Sequence, residues 1–229
     1  MKKKAFGLSL AVLGSMLLTA QMPSLAEEGE NSEDFQGPYI TLGIGASFPN
    51  DTTSDAEVYG LKVTGTDKHS GGIQGEVGAG YDFGLIRTEL TYARSQGSTT
   101  DAKGCVETYY CVSLSGNREF VSNSVFLSGY VDIPTKSKFS PYIGGGIGYT
   151  NIWAEEVDVW IGLDNYYYDS TSKGLFGYQA KAGATYSATQ TLDLFAEATY
   201  RGTQGFEDGG VNVDPISAWG FNVGTRIKF

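Results

Sequence analysis

The final eleven residues of the chain alternate without interruption. Trp219, Phe221, Val223, Thr225, Ile227 and Phe229 fall on one face of an extended segment, and Gly220, Asn222, Gly224, Arg226 and Lys228 on the other. The same split recurs upstream. Leu192, Leu194, Ala196, Ala198 and Tyr200 oppose Asp193, Phe195, Glu197, Thr199 and Arg201; Ile73, Val77, Ala79 and Tyr81 oppose Gln74, Glu76 and Asp82; Ile86, Leu90 and Tyr92 oppose Arg87, Glu89 and Thr91. A period of two requires strands, and segments of about ten residues are the length a tilted strand needs to cross a bilayer.

Eight such segments are expected, near 39–48, 72–83, 85–95, 123–133, 140–152, 174–187, 191–202 and 217–229. The connections alternate long and short, beginning with a long 49–71 and a tight Phe83-Gly84. Long and short connections at opposite ends define an up-and-down barrel, and an even strand number leaves both termini at the short-turn, periplasmic end. If Phe83-Gly84 is a two-residue hairpin loop, Asp82 pairs with Leu85 and Gly80 with Arg87, and the two polar faces coincide. The composition agrees: 32 Gly, 15 Tyr and 12 Phe suit many short strands, and no convincing amphipathic helix is found.

Which face meets solvent is decided by the charges. A soluble export barrel of the lipocalin type would need an apolar interior. Here one face gathers Glu76, Asp82, Arg87, Glu89, Asp132, Lys181, Asp193, Glu197, Arg201, Arg226 and Lys228. Ions of both signs suit a mutually neutralising polar interior with lipid outside. Outward aromatics form two bands, as interfacial girdles do: Phe48, Tyr92, Tyr149, Phe176, Tyr200 and Trp219 near the long loops, and Tyr81, Phe83, Tyr186 and Phe229 near the short turns.

The N-terminus reads as an export signal over residues 1–26. Lys2, Lys3 and Lys4 precede an apolar run from Ala5 to Ala20, and Ser24-Leu25-Ala26 forms a small-x-small cleavage site. The run falls short of the ~20 residues that a spanning anchor helix needs. Residues 27–37 form an acidic, flexible lead-in, and 38–229 the barrel. The formal charge of -10 argues against nucleic acid as a partner. Cys105 and Cys111, the only cysteines, are expected to form a disulfide in an exported chain, since no His or third Cys lies near enough to favour a metal site.

The ending Asn222-Val223-Gly224-Thr225-Arg226-Ile227-Lys228-Phe229 and the segment Pro141-Tyr142-Ile143-Gly144-Gly145-Gly146-Ile147-Gly148-Tyr149 resemble the small outer-membrane barrels of the OmpA and OmpX type. The resemblance covers roughly 38–229. It implies an all-β, eight-stranded antiparallel transmembrane barrel. It also implies that Asn222, Gly224, Ile227 and Phe229 carry an assembly signal read by the barrel-assembly machinery. The chain ends at Phe229, so the peptidoglycan-binding domain of full-length OmpA-like proteins, and a cell-wall anchoring role, are not expected.

The glycines from Gly144 to Gly148 lie within a strand, where inward Gly makes room for facing side chains, and no phosphate-binding helix follows. His69, the only histidine, stands beside Ser70 in the first long loop; a solvated loop residue explains it, and no enzyme or cofactor is expected. Eight strands leave an interior that side chains fill, and Phe126, Tyr130, Tyr142 and Phe195 are also phased inward, so a plugged lumen is favoured over a narrow porin-like channel. Six acids against five bases suggest sealing charge pairs, with Arg226 and Arg201 beside Glu197 and Lys181 near Asp193. Function is expected in the long external loops. Loop three reads as a projecting hairpin that either offers Trp160, Tyr166, Tyr167 and Tyr168 as contact area to an extracellular protein partner or serves as a protruding fence that rigidifies the barrel. The surrounding partners are outer-membrane lipids and lipopolysaccharide. Acidic loops could recruit divalent cations that bridge to its phosphates, but no calcium-loop spacing is present and solvation is the preferred explanation of their charge.

Overall fold

A computed structural model describes residues 35–107, 109–161, 164–168 and 170–229; the side chains of residue 114 and of 157–168 lie outside it. The expected signal segment and most of the acidic lead-in also lie outside the described residues. Fourteen strands follow one another: β1 (Gly37–Pro49), β2 (Thr52–Val58), β3 (Leu61–Ser70), β4 (Gly72–Asp82), β5 (Ile86–Val106), β6 (Tyr110–Asp132) and β7 (Phe139–Ala154), then β8 (Val157–Ile161), β9 (Asp164–Tyr168), β10 (Thr171–Ser187), β11 (Leu192–Thr203), β12 (Phe206–Asp208), β13 (Val211–Val213) and β14 (Ser217–Lys228).

Eight of them close a ring. In the order β1, β4, β5, β6, β7, β10, β11, β14 each pairs antiparallel with the next, and β14 returns to β1 through Tyr39 opposite Lys228 and Phe48 opposite Trp219. Closure leaves no unpaired edge in the ring, which is the condition for carrying a sheet through hydrocarbon.

The alternation sets the two faces. Ile40, Leu42, Ile44, Leu90, Leu127, Ile147, Phe221 and Val223 are exposed, whereas Arg87, Thr91, Phe126, Tyr130, Tyr142 and Phe195 are buried. In water this would be an inverted protein; in lipid it is the stable arrangement. Both aromatic bands point outward, and several of their rings touch: Tyr200 and Trp219 at 4.9 Å between centroids, Tyr81 and Phe83 at 4.7 Å.

β1 starts at Gly37, and Phe35 lies under the Lys228 ammonium, 5.2 Å from its ring centre. Two expectations need correction. The tight turn is Gly84-Leu85 rather than Phe83-Gly84, because Phe83 N–H donates to Ile86 C=O at 2.9 Å and Gly84 adopts φ +98°, the conformation a primed hairpin turn demands at its first position. Asp82 therefore faces Arg87 and Gly80 faces Glu89. The slip is two residues, so the polar faces still coincide. Finally, the other long loops, and not the third alone, contain strands. β5 and β6 run for 21 and 23 residues, about twice the crossing length, and continue as a ladder beyond the membrane. β2 and β3 form a hairpin on β5, and β13 adds to β2.

Inside, the glycines of β7 relieve crowding. A Cβ at Gly144 would meet the Tyr130 ring at 2.2 Å, and one at Gly148 the Phe126 ring at 2.8 Å.

The facing predicts a one-sided tolerance to charge. Leu42→Lys, near the middle of β1 on the lipid face, should destabilise the barrel by about 2–4 kcal/mol. Urea unfolding of the protein in lipid vesicles measures this, with Leu42→Val as the near-neutral control.

Candidate functional site: a packed lumen beneath a projecting sheet

Each of the expected lumen charges is carried on the inner face of its strand, and the register decides which of them meet. At the short-turn end, Arg87 of β5 is 1% exposed and grips Asp132 of β6 through Nε at 2.5 Å and a second guanidinium nitrogen at 2.9 Å. Its cation lies 4.9, 5.0 and 5.8 Å from the ring centres of Tyr130, Tyr142 and Tyr39, so aromatic faces replace the water it has lost. Asp193 of β11 holds Lys228 Nζ at 3.0 Å and has Arg226 at 3.7 Å. Arg226 stacks over Tyr39 at 5.2 Å. Asp82 is used locally, accepting the Gly84 N–H at 2.8 Å.

The middle of the lumen is organised by Lys181 of β10. Its ammonium lies 2.7 Å from Glu76 Oε1 and 2.9 Å from Glu197 Oε1, and all three side chains are 2–3% exposed. Arg201 reaches the other Glu76 oxygen at 2.6 Å, donates to Gln74 at 3.1 Å and to Gln179 at 3.2 Å. Tyr142 O–H and the Asn222 amide donate to Glu197 at 2.8 and 3.1 Å. Glu89 is different. It receives hydroxyl donors, Thr91 at 2.8 Å, Thr41 at 3.1 Å and Tyr130 at 3.4 Å, and stands in none of the ion pairs among the described residues.

These partners differ from those expected. Glu197 pairs with Lys181 and not with Arg226 or Arg201, and Asp193 takes the C-terminal basic residues in place of Lys181. The cause is register: β11 and β14 set Asp193 directly opposite Arg226 and Glu197 opposite Asn222, while β10 and β11 leave Lys181 one diagonal step from Glu197. What remains open at the centre is a void of about 10 Å³, room for about one water.

Above the barrel stands a wall of six strands in the order β12, β13, β2, β3, β5, β6. The Cys105–Cys111 disulfide, spanning six residues, clamps the β5–β6 tip. Glu107 joins that tip to the β2–β3 hairpin, its N–H donating to Lys62 C=O at 2.9 Å and its carboxylate accepting the Lys62 N–H at 2.8 Å. Thr53 donates to Asp214, and the Asp214 N–H returns to Thr53 C=O at 3.0 Å, fixing the last external connection to the first. His69 is half-buried in this wall rather than solvated. Its ring nitrogens meet Thr52 at 3.0 Å and Thr99 at 3.1 Å, and Phe120 lies edge-on at 5.3 Å. Burial holds its pKa below the ordinary value, opposed in part by Asp67 and Asp51.

The tips carry a feature that the sequence reading passed over. Tyr59 (102%), Tyr109 (85%) and Tyr110 (80%) are almost fully exposed, with Val58, Leu61 and Val112 beside them. Tyr59 also adopts φ +53°, a conformation that disfavours side chains and gains nothing here from packing. The available signal was Tyr59-Gly60, a turn dipeptide with an aromatic where Asn is usual. Trp160, Tyr166, Tyr167 and Tyr168 lie on β8 and β9, whose backbones do form a hairpin, with Trp160 opposite Asn165 and Val159 opposite Tyr166; their side chains are outside the described part. Asn222 and Gly224 face the lumen on β14, while Ile227 and Phe229 face outward.

A closed eight-strand ring with an apolar exterior, girdles and a charge-packed interior is a transmembrane β-barrel of the bacterial outer membrane. The chain belongs to the outer membrane protein beta-barrel domain family, whose profile matches residues 9–227. It is 28% identical to the outer membrane protein PagN of Salmonella typhimurium over 179 residues, 72% of this chain and 74% of PagN. It is also 28% identical over 172 residues to a Rickettsia conorii protein named "Putative adhesin RC1281", covering 71% of this chain and 66% of that one. In fold it resembles the outer membrane protein OprG of Pseudomonas aeruginosa, with a TM-score of 0.52, 18% identity, and coverage of 87% of this chain and 99% of OprG.

The central triad yields a thermodynamic test. Lys181→Met leaves Glu76 and Glu197 without their shared cation and should cost about 3–5 kcal/mol in urea unfolding. Adding Glu197→Gln, which leaves Glu76 paired with Arg201, should recover most of that loss.

Proposed function

We propose that this protein is a non-enzymatic surface-interaction barrel: a rigid, closed membrane anchor that displays a β-sheet whose tip binds an extracellular protein partner. The observation that carries the reading is the cluster of solvent-exposed tyrosines, Tyr59, Tyr109 and Tyr110, on two hairpin tips that hydrogen bonds and a disulfide hold together. Tyrosine supplies large contact area at a low entropy cost because it has few rotatable bonds, and a pre-ordered tip loses little further freedom on binding. An aromatic held at positive φ in full solvent lowers the stability of the isolated chain and is accounted for by a contact made outside it. The β8–β9 residues Trp160, Tyr166, Tyr167 and Tyr168, on a separate hairpin, would offer a second contact surface. The Rickettsia conorii relative, named as a candidate adhesin, supports this reading, as does a lumen too full for solute passage. In the same proposal Asn222, Gly224, Ile227 and Phe229 serve assembly, being recognised by the barrel-assembly machinery before the strand closes the ring.

Adhesion of a non-adherent bacterial host expressing the protein to an epithelial monolayer tests the proposal. Expression should raise adhesion. The triple substitution Tyr59→Ser, Tyr109→Ser, Tyr110→Ser should weaken it about thirtyfold, as loss of about 2 kcal/mol from a contact hot spot does, with the amount of folded barrel unchanged. Equal adhesion by the variant and the parent would contradict the assignment.

A further inference from the structure

The lipid-facing surface is not uniformly ridged. Where β1, β4, β5 and β6 adjoin, a groove of about 380 Å³ is floored by Ala79 and walled by Ile40, Val77, Leu90, Tyr92 and Val125. The register makes it one continuous depression: Ile40 lies opposite Ala79, Ala79 opposite Leu90, and Tyr92 opposite Val125. The small side chain of Ala79 creates it, since Ile40 and Leu90 stand on either side.

The upper end of the groove is Tyr92, in the girdle on the long-loop side. Two residues farther along β5, on the same outward face, stands Arg94. Arg87, Arg201 and Arg226 are each paired with a carboxylate, and Arg118 donates to Glu155 C=O at 2.8 Å. Arg94 is exposed and stands in none of the ion pairs among the described residues; one guanidinium nitrogen donates to Asn123 Oδ1 at 3.1 Å. The same oxygen accepts from Tyr92 O–H at 2.8 Å, so Asn123 ties the cation to the head of the groove. The space beside it is open. Gly75 lies directly opposite Arg94, and a Cβ there would meet only the Gly43 carbonyl, at 3.6 Å. The next outward carboxylate on β6, Glu119, is four residues farther from the membrane. A planar cation with unspent donors, fixed at the headgroup level above an apolar trough, matches a phosphate joined to an acyl chain.

We propose that this groove is a specific site for a phosphorylated outer-leaflet glycolipid, one acyl chain lying along Leu90 and Ala79 and a phosphate accepting from Arg94. The occupant is assigned to the outer leaflet because the cation lies on the long-loop side, and to lipid A in particular because that leaflet presents its phosphates at this height. The site is separate from the tyrosine tip and does not depend on it.

Native mass spectrometry of the refolded protein, titrated with bisphosphorylated lipid A, dephosphorylated lipid A or phosphatidylglycerol, tests the proposal. Wild type should retain one lipid A, with dephosphorylated lipid A and phosphatidylglycerol each bound about tenfold more weakly. Arg94→Gln should weaken lipid A about tenfold and abolish the preference for its phosphates; Ala79→Phe, which fills the trough, should weaken both forms of lipid A. Both positions are exposed on the outer face, and the shift in gel mobility on heating verifies that each variant is folded. Equal lipid A binding by all three proteins, or retention of phosphatidylglycerol as tight as lipid A, would overturn the assignment.

Discussion

The contact on which the rest of this structure depends is the Lys181 ammonium held between the Glu76 and Glu197 carboxylates in the middle of the lumen. A barrel that turns its apolar faces to lipid must place its polar residues inside, and eight strands leave those residues almost no water. Each buried ion must then find its counter-ion or a hydrogen-bonding partner within a few ångströms, because desolvation is repaid only by close, well-aligned contacts. Lys181 draws together β4, β10 and β11, Arg201 extends the network to Gln179 and Gln74, and Asn222 brings in β14. Strands that are not neighbours in the ring are thereby linked across its axis, which adds a transverse restraint to the ladders around the circumference.

The wall outside the membrane follows from a different requirement. Connections long enough to reach well beyond the barrel expose backbone N–H and C=O groups, and pairing them as continued ladders satisfies those groups while raising a stiff surface. The disulfide at Cys105 and Cys111 and the Glu107 bonds to Lys62 act where fraying would begin, at the tips. The wall is therefore an extension of the barrel rather than a set of loops upon it, and the tyrosines at its summit are presented by a sheet anchored in the membrane.

Much of the ring was legible in the sequence because lipid imposes a strict period of two. Strand number and both aromatic bands can be read from the eight alternating segments, and the inward and outward faces from stretches such as Trp219 to Phe229 and Leu192 to Arg201, since a slip of one residue would place Arg226 or Glu197 in hydrocarbon. A slip of two residues leaves every face unchanged, so parity could not locate the tight turn at Gly84-Leu85 or identify the partner of Glu197. That choice rests on pairing between strands distant in sequence. The β2–β3 hairpin and the upper β5–β6 ladder are not legible for a related reason: above the membrane both faces of these strands meet water, and the alternation fades, whereas the β8–β9 hairpin keeps it over Val157 to Leu163. The burial of His69 is not legible in the sequence because its neighbours Thr52, Thr99 and Phe120 arrive from three other strands.

A cross-linked charge network fills the middle of the lumen and leaves there a void of only about 10 Å³. Planar-bilayer recording of the refolded wild-type protein reads whether that network seals it. Negligible current is expected, with at most rare and tiny openings whose frequency rises when Glu197→Ala removes one carboxylate of the triad. Steady, large wild-type currents that the substitution leaves unaltered would contradict it.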